Sequence, residues 1–227
     1  MERRNEGDHL ASSLTDLMTS LMVIFILLLL VFISHSASKD ANATDVLLKK
    51  LKVNLKPQHL HEDSIRLDPR DRNAILVIVP DRLMNFQIGS AELSEQGQDF
   101  LGDFVPALAQ SLCVVDIRRD VDSIVVEGHT DAAQYKQDSV GQNLRLSQNR
   151  SMSVVQTSLH DLEATPELQN CFLEKLSATG RGQQDLQPTP EESRRVIFRI
   201  RVKAATMPKV DPNSAVSSDA SVQRRLQ

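Results

Sequence analysis

The chain has 227 residues, of which 41% are hydrophobic and 25% are charged, and its formal net charge is −4. This acidic balance argues against nucleic-acid binding, because proteins that bind nucleic acids carry a basic stripe and a basic isoelectric point. Two cysteines exclude a disulfide-rich scaffold but leave room for one bridge. We expect one or two domains with a single sizeable core.

The N-terminal region contains one long apolar stretch. Residues 1–12 are polar, and Leu21–Ile33 is then an unbroken apolar run. Counted from Leu14, the stretch has about twenty residues, the length that a helix needs to cross roughly 30 Å of hydrocarbon. The alternative is a cleaved signal peptide, whose apolar region has only about 7–15 residues. We therefore predict a transmembrane helix over residues 13–35.

Charges on either side of the span conflict about its orientation. Arg3 and Arg4 precede the span, whereas Lys39 and three further lysines follow it. The positive-inside rule alone would place the C-terminal region in the cytoplasm. We nevertheless expect residues 1–12 to be cytoplasmic and the C-terminal region to lie outside, because of the domain that it contains.

Residues 36–71 are predicted to be a linker, because they are polar and lack a strong core pattern. One helical face carries four apolar residues: Val46, Leu47, Leu51 and Leu55. Pro57 ends any helix there. Two interpretations remain open, a partly ordered tether or a helix that contacts a second copy or plugs a channel. Residues 204–227, rich in Ser, Asp, Ala and Pro, are predicted to be a disordered tail.

Residues 72–203 show the alternation of strands and helices that is typical of an α/β domain. The last strand alternates apolar residues with Arg199 and Arg201, so we expect one of its faces to be exposed to solvent. The predicted elements are strands over Ala74–Val79, Asp122–Gly128, Lys175–Thr179 and Val196–Val202, and helices over Leu93–Leu112 and Leu144–Leu159. The predicted fold class is therefore α/β, an N-terminal transmembrane helix followed by a sandwich of helices on a mixed four-stranded sheet.

Polar residues collect where the second strand ends and the second helix begins. Thr130 and Asp131 close the strand as part of G-H-T-D, and Asn143 and Arg150 bound the helix segment N-L-R-L-S-Q-N-R. Strand ends of this kind tend to present ligand sites in α/β sheets. An Asp and an Arg a few ångströms apart can bind a zwitterion, the Asp taking an ammonium and the Arg a carboxylate. The alternative is a surface ion pair between Asp131 and Arg150, which stabilises little.

Several motifs in this region resemble the OmpA-like peptidoglycan-binding domain. They are, in chain order, the stretch Phe86–Leu93, G-H-T-D, N-x-x-L-S-x-x-R, Gly180-Arg-Gly182 and Arg194-Arg195-Val196. The resemblance implies that Asp131 and Arg150 hold the amino and carboxylate groups of diaminopimelate in the peptide stem. It also implies that Asn143 and Thr130 line the pocket. Ala132–Gln142 is longer than is usual in the family, so the pocket's location is better defined than its shape.

Asp16 stands at the start of the apolar stretch. A charge at the centre of a span costs roughly 2.5–3.5 kcal/mol by insertion scales, and intramembrane carboxylates often mark ion pathways. An equal alternative is that Asp16 is the N-cap of the helix. The segment Thr15–Met22 resembles the transmembrane helix of MotB proteins, in which the Asp accepts a proton. The resemblance implies that Asp16 conducts ions.

The span and the domain together resemble a MotB-type stator subunit. The family implies a homodimer inside a pentameric ring of a MotA-like polytopic partner in the bacterial inner membrane, with the C-terminal domain in the periplasm on peptidoglycan. The short N-terminus and the absence of Trp-Tyr before Asp16 depart from flagellar MotB and are similar to the ZorB subunit of the Zorya anti-phage system. We predict a proton-driven stator for defence, with a flagellar stator or a purely structural wall anchor as alternatives.

An enzyme is not predicted. His129 and Asp131 stand close together, but the sequence offers no set of nucleophile, base and orienting group. The six histidines are scattered without metal-ligand spacing, so neither a metal nor a cofactor is expected. We expect His129 to order the turn at the end of the strand.

The two cysteines follow the two predicted helices. Cys113 precedes the strand Asp122–Gly128, and Cys171 precedes the strand Lys175–Thr179. If those strands are parallel neighbours, the sulfurs come within the roughly 4.4–6.8 Å Cα separation that a disulfide requires. Such a bridge survives in an oxidising periplasm. The alternative is two independently buried thiols.

Overall fold

The structure, a computed structural model, describes residues 5–56, 60–87, 89–132 and 138–203. The predicted tail, Pro57 and part of the long segment after Asp131 therefore lie outside the described residues. The described chain divides into two compact units, one that ends at Ser36 and one that begins at Ala37.

The first unit contains the apolar part of helix α1 (Asn5–Asn54). Within it, Leu14–Ser34 is long and apolar enough to cross a membrane, close to the predicted residues 13–35. Its large apolar side chains are exposed, Leu21 and Phe25 among them. A continuous apolar surface of this length is stable only against lipid or other apolar helices.

The second unit is an α/β domain on a five-stranded mixed sheet with the order β1-β2-β5-β3-β4. Strands β3 and β4 are parallel, and the other neighbours are antiparallel. The strands are β1 (Ile65–Asp68), β2 (Asp71–Pro80), β3 (Val121–His129), β4 (Leu176–Gly182) and β5 (Arg195–Val202). The helices after α1 are α2 (Asp81–Met84), α3 (Glu95–Leu112), α4 (Val115–Arg118), α5 (Ser139–Asp161), α6 (Pro166–Leu173) and α7 (Pro190–Ser193).

The predicted α/β class is confirmed, but the sheet has five strands rather than four. The additional strand, β1, lies in the stretch that the sequence assigned to the linker. It has only four residues, and its sequence Ile-Arg-Leu-Asp carries too few apolar residues to stand out. Antiparallel pairing with the much longer β2 is what makes it a strand.

One face of the sheet is covered by helices and forms the core. Val77 of β2 and Val126 of β3 both pair with Phe198 of β5, which places the three side chains in one layer. Phe104 of α3 packs on Phe198, with ring centroids 5.2 Å apart. The alternate residues of each strand point to the other face of the sheet, which neither α3 nor α5 covers. We call it the helix-free face. The solvent-exposed face predicted for β5 is confirmed at Arg201, whose side chain is exposed there.

The last turns of α1 belong to the domain core. Leu47, Leu51 and Leu55 are fully buried, and each contributes roughly 1.5–3 kcal/mol by burial. Val46 is 58% exposed, because it lies about 100° around the helix from a stripe that repeats every four residues. The prediction that all four residues lie on one helical face is therefore wrong for Val46.

Cys113 and Cys171 form a disulfide in the structure, with their Cα atoms 6.1 Å apart. Cys113 follows the last turn of α3, and Cys171 lies in α6, which leads into β4. The parallel pairing of β3 with β4 brings these two connections to the same end of the sheet. This is the arrangement on which the predicted bridge depended.

Candidate functional site

The candidate site lies where β3 ends and α5 crosses the sheet. Helix α5 approaches the strands so closely that a Cβ atom on Gly128 would be 2.1 Å from the carbonyl oxygen of Ser147. The Ser147 hydroxyl accepts a hydrogen bond from the amide of Gly182 at 2.8 Å. Gly180 is equally crowded, since its Cβ would lie 2.5 Å from the amide nitrogen of Gln148. The glycines of both motifs therefore serve helix–sheet contact, which fixes where the polar residues of α5 stand.

Arg150 is buried, with only 4% of its surface exposed. Its Nε donates to the Ser90 carbonyl at 2.9 Å, and its Nη2 donates to the Gln87 carbonyl at 3.2 Å. The guanidinium carbon lies 4.8 Å from the centre of the Phe86 ring. These contacts fix the position of the guanidinium. Arg150 is therefore buried and held in place rather than free to move at the surface.

Asp131 contacts Arg194, which lies just before β5. The Arg194 Nη1 donates to the Asp131 carboxylate at 2.6 Å, and its Nε lies 3.2 Å from the carboxylate of Asp81. The hydrogen bond with Asp131 raises the pKa of Arg194, against the effect of burial, and Asp81 adds to the rise. The Asp131 side chain keeps 18% of its surface exposed, so a ligand ammonium can reach this carboxylate.

The other two predicted site residues are buried at the same junction. The Asn143 amide donates to the Gln183 side chain at 3.3 Å. The backbone amide of Thr130 donates to the Gly182 carbonyl at 2.9 Å. The Thr130 hydroxyl oxygen is buried without a hydrogen-bond partner among the described residues. Both residues thus contact the G-R-G segment of β4 or the residue directly after it.

The structure brings all four predicted residues to one edge of the sheet but attaches them to different segments. Asp131 is tied to the start of β5, and Arg150 to the loop that follows α2. Arg194 belongs to the Arg194-Arg195-Val196 motif, but the motif does not predict its contact with Asp131. The pair Arg194-Arg195 does indicate that one of the two arginines turns towards the site, since consecutive residues entering a strand point to opposite faces.

A crevice of about 330 Å³ adjoins the pair formed by Asp131 and Arg194. Its lining residues are Pro80, Asp81, Arg82, Asn85, Glu191, Glu192 and Arg194. Glu191 and Glu192 belong to α7 and form one wall of the crevice. Arg194 therefore both contacts Asp131 and lines this crevice.

His129 points away from Asp131, towards the helix-free face of the sheet. Its Nδ1 lies 3.2 Å from the Gln184 carbonyl, in the connection that follows β4. Its Nε2 lies 3.6 Å from a carboxylate oxygen of Glu127. Burial raises the pKa of Glu127, but its interactions with His129 and Arg199 outweigh burial and lower it. Within the described chain, no group of three or more metal-ligating side chains is found.

Asp16 lies inside α1, within the segment long enough to span a membrane. Because the helix begins at Asn5, Asp16 is not its N-cap, and that alternative is wrong. The hydroxyl of Thr19 donates to the Asp16 carbonyl at 2.9 Å, one turn further along. Conduction by Asp16 stays a prediction.

No protein-family profile matches the chain, and no curated protein sequence matches it. Similar solved structures exist. A putative MotB-like protein from Desulfovibrio vulgaris has 22% identity and a TM-score of 0.52, over 73% of this chain and 98% of that chain. The periplasmic domain of MotB from Helicobacter pylori has 15% identity and a TM-score of 0.47, over 72% and 90%. The cell wall anchor of the T6SS from Pseudomonas aeruginosa has 18% identity and a TM-score of 0.44, over 69% and 97%. The chain therefore shares the fold of the MotB-like protein from Desulfovibrio vulgaris.

Proposed function

We propose that the chain is the peptidoglycan-anchored stator subunit of a proton-driven membrane motor. One observation carries the proposal: a single chain combines a membrane-length helix with a carboxylate inside it and a domain with the fold of a MotB-like protein. The combination makes mechanical sense, because a protein that converts ion flux into force on a partner needs a fixed point to push against.

The anchor proposal assigns the two ends of diaminopimelate to two residues. Asp131 takes the ammonium group, which joins Arg194 at the exposed side of the carboxylate. Arg150 takes the carboxylate, and its contacts with the Gln87 and Ser90 carbonyls hold the guanidinium in place before the ligand arrives. Such pre-organisation lowers the entropy that binding costs. Hydrogen bonds to a charged group each contribute about 1.5–3 kcal/mol.

The motor proposal rests on Asp16 and the apolar surface around it. One charge that crosses a potential of 100 mV yields about 2.3 kcal/mol, so protonation of Asp16 can drive a conformational step in a partner. We propose that two copies of this chain stand inside a ring of a MotA-like polytopic protein in the bacterial inner membrane, with the domain in the periplasm. The exposed apolar side chains of Leu14–Ser34 suit such a ring.

We assign the motor to anti-phage defence, as in Zorya systems, because the sequence just before Asp16 lacks the Trp-Tyr pair of flagellar MotB. A flagellar stator is the second candidate. The class of gene beside this one separates them, since helicase or nuclease genes indicate defence. A neighbouring gene for a polytopic membrane protein supports either motor.

Substitution of Asp16 tests the motor against a purely structural anchor. The full chain is co-expressed with the polytopic protein encoded beside it, and proton flux into the cells is measured. Asp16→Asn keeps the size of the side chain but removes its charge, so the complex should assemble and the flux should disappear. Asp16→Glu is the matched control and should retain flux. Undiminished flux with Asp16→Asn would leave only the wall anchor standing.

A further inference from the structure

The helix-free face of the sheet carries a second cavity, of about 490 Å³. This volume lies in the range of roughly 300–1,000 Å³ that is usual for small-molecule sites. Its floor is aliphatic and includes Leu76, Ile78 and Ile197, whereas its walls are charged. The candidate peptidoglycan site is separate from it, because Arg194 turns to Asp131 while Arg195 lines this cavity.

Arg195 brings a buried positive charge to the cavity that is paired with no carboxylate in the described chain. Only 8% of the residue is exposed. Its guanidinium donates to three backbone carbonyls, those of Glu192 at 3.3 Å, Ser193 at 3.2 Å and Asp185 at 3.0 Å. Carbonyls satisfy the hydrogen bonds but leave the charge, and a buried charge is costly until an ion of opposite sign pairs with it.

Three of the four carboxylates in the lining are engaged by other arginines, and the fourth, that of Glu192, accepts a hydrogen bond from the Thr189 amide. The Asp185 carboxylate lies 2.5 Å from Arg70, and that of Glu127 lies 2.7 Å from Arg199. Asp68, also in the cavity wall, pairs with Arg199 as well.

Arg66, across the cavity, adds a second positive charge. It has no ion pair with any described residue. Burial lowers the pKa of Arg195, and Arg66 lowers it further, while Asp185 and Glu127 oppose the change. The lining holds four arginines and four carboxylates, and Arg195 and Arg66 are its arginines without an ion pair in the described chain, so an anionic group can pair with these two.

His129 adds a buried polar atom, Nε2, that has no hydrogen-bond partner among the described residues. The side chain is 1% exposed, and its Nδ1 lies 3.2 Å from the Gln184 carbonyl. No described residue donates to Nε2, and a Glu127 oxygen lies 3.6 Å away. A ligand amide, which carries both a donor and an acceptor, can pair with Nε2 and with the Glu127 carboxylate.

We propose that this cavity binds the C-terminal carboxylate of a short peptide with small aliphatic side chains. The carboxylate pairs with Arg195 and Arg66, the amide N–H reaches His129 and Glu127, and the aliphatic side chains lie on the floor formed by Leu76 and its neighbours. Inorganic phosphate matches the charge but has neither the apolar body nor the amide. The proposal goes beyond the wall anchor and does not depend on Asp131 or Arg150.

The test uses the full chain in detergent with ¹³C-labelled histidine, titrated by N-acetyl-alanyl-alanine, by its C-terminal amide and by inorganic phosphate. The acid should give a saturable shift of the His129 ring resonance, and the amide and phosphate should not. The acid is used in its L and D forms, which separates a protein C-terminus from a wall peptide that ends in D-alanine. A preference for either form supports the proposal.

Arg66→Gln supplies the matching variant and should leave the fold intact, because Arg66 is exposed on the short edge strand β1. It should weaken binding of the acid about tenfold, the loss expected for one charged hydrogen bond. Arg145→Gln removes an exposed arginine from α5, on the other face of the sheet, and should change nothing. Equal binding of acid and amide, equal binding of phosphate, or the absence of any saturable shift would overturn the assignment.

Discussion

Loss of the disulfide between Cys113 and Cys171 should destabilise the domain strongly. The bridge closes a loop with a sequence separation of 58 residues. In the chain-entropy model, a cross-link over a loop of this length removes about 14 cal/mol/K from the unfolded ensemble, or about 4 kcal/mol at 25 °C. Because folded domains are stable by only about 5–15 kcal/mol, the bridge is a large share of the total.

The assay is urea unfolding of the oxidised protein, of the reduced protein and of the double variant Cys113→Ser, Cys171→Ser. The reduced protein and the variant should both unfold at a lower midpoint, with a loss near 4 kcal/mol in the free energy of unfolding. A thiol count on the unreduced, denatured protein is the independent check and should give none. Two free thiols, or equal stability in all three samples, would refute the reasoning and would also weaken the periplasmic placement.

Two further predictions concern stability. Gly128→Ala should destabilise the domain by several kcal/mol, because its Cβ would meet the Ser147 backbone at 2.1 Å. The matched control is Gly102→Ala, which has open space around it and should stabilise α3 by about 0.5–1 kcal/mol. Equal thermal midpoints of the two variants would contradict this packing. Since the pKa of Glu127 is lowered below its ordinary 4.5, its contribution is present above that pH and is lost as the pH falls. Acid unfolding should therefore be steeper in the wild type than in Glu127→Gln, and parallel curves would exclude a stabilising role for this carboxylate.

Long apolar patterns made most of the fold predictable. The strand runs Ala74–Val79 and Val196–Val202 fall within β2 and β5, and the helix Leu93–Leu112 matches α3 to within two residues. Strand β1 was missed, because four residues with two charges carry no local signal. The stripe Leu47–Leu55 was seen, but a helical stripe fits a partner chain as well as a core, so its destination depends on tertiary packing.

The site was predictable in location but less so in its contacts. The motif glycines and the strand-end position placed Asp131 and Arg150 at the correct edge of the sheet. The partner of Asp131 was not predictable, since Arg194 reaches it only through the antiparallel pairing of β3 with β5. The second cavity combines Arg66 from β1 with Arg195 from β5, two strands that are not neighbours in the chain or in the sheet.

Sedimentation of the protein with diaminopimelate-type peptidoglycan tests the central claim most directly. The soluble fragment should begin at Ala37, where the second compact unit begins, so that it keeps β1 and the buried leucines at the end of α1. A fragment that began at Ala74, the start of the first predicted strand, would lack both. The wild-type fragment should sediment with the polymer, and Arg150→Ala and Asp131→Ala should each abolish sedimentation, because each leaves one end of the ligand unpaired. Arg145→Ala, on the exposed side of the same helix, should bind like the wild type. Undiminished sedimentation of both site variants would contradict the assignment of this edge of the sheet as the anchor.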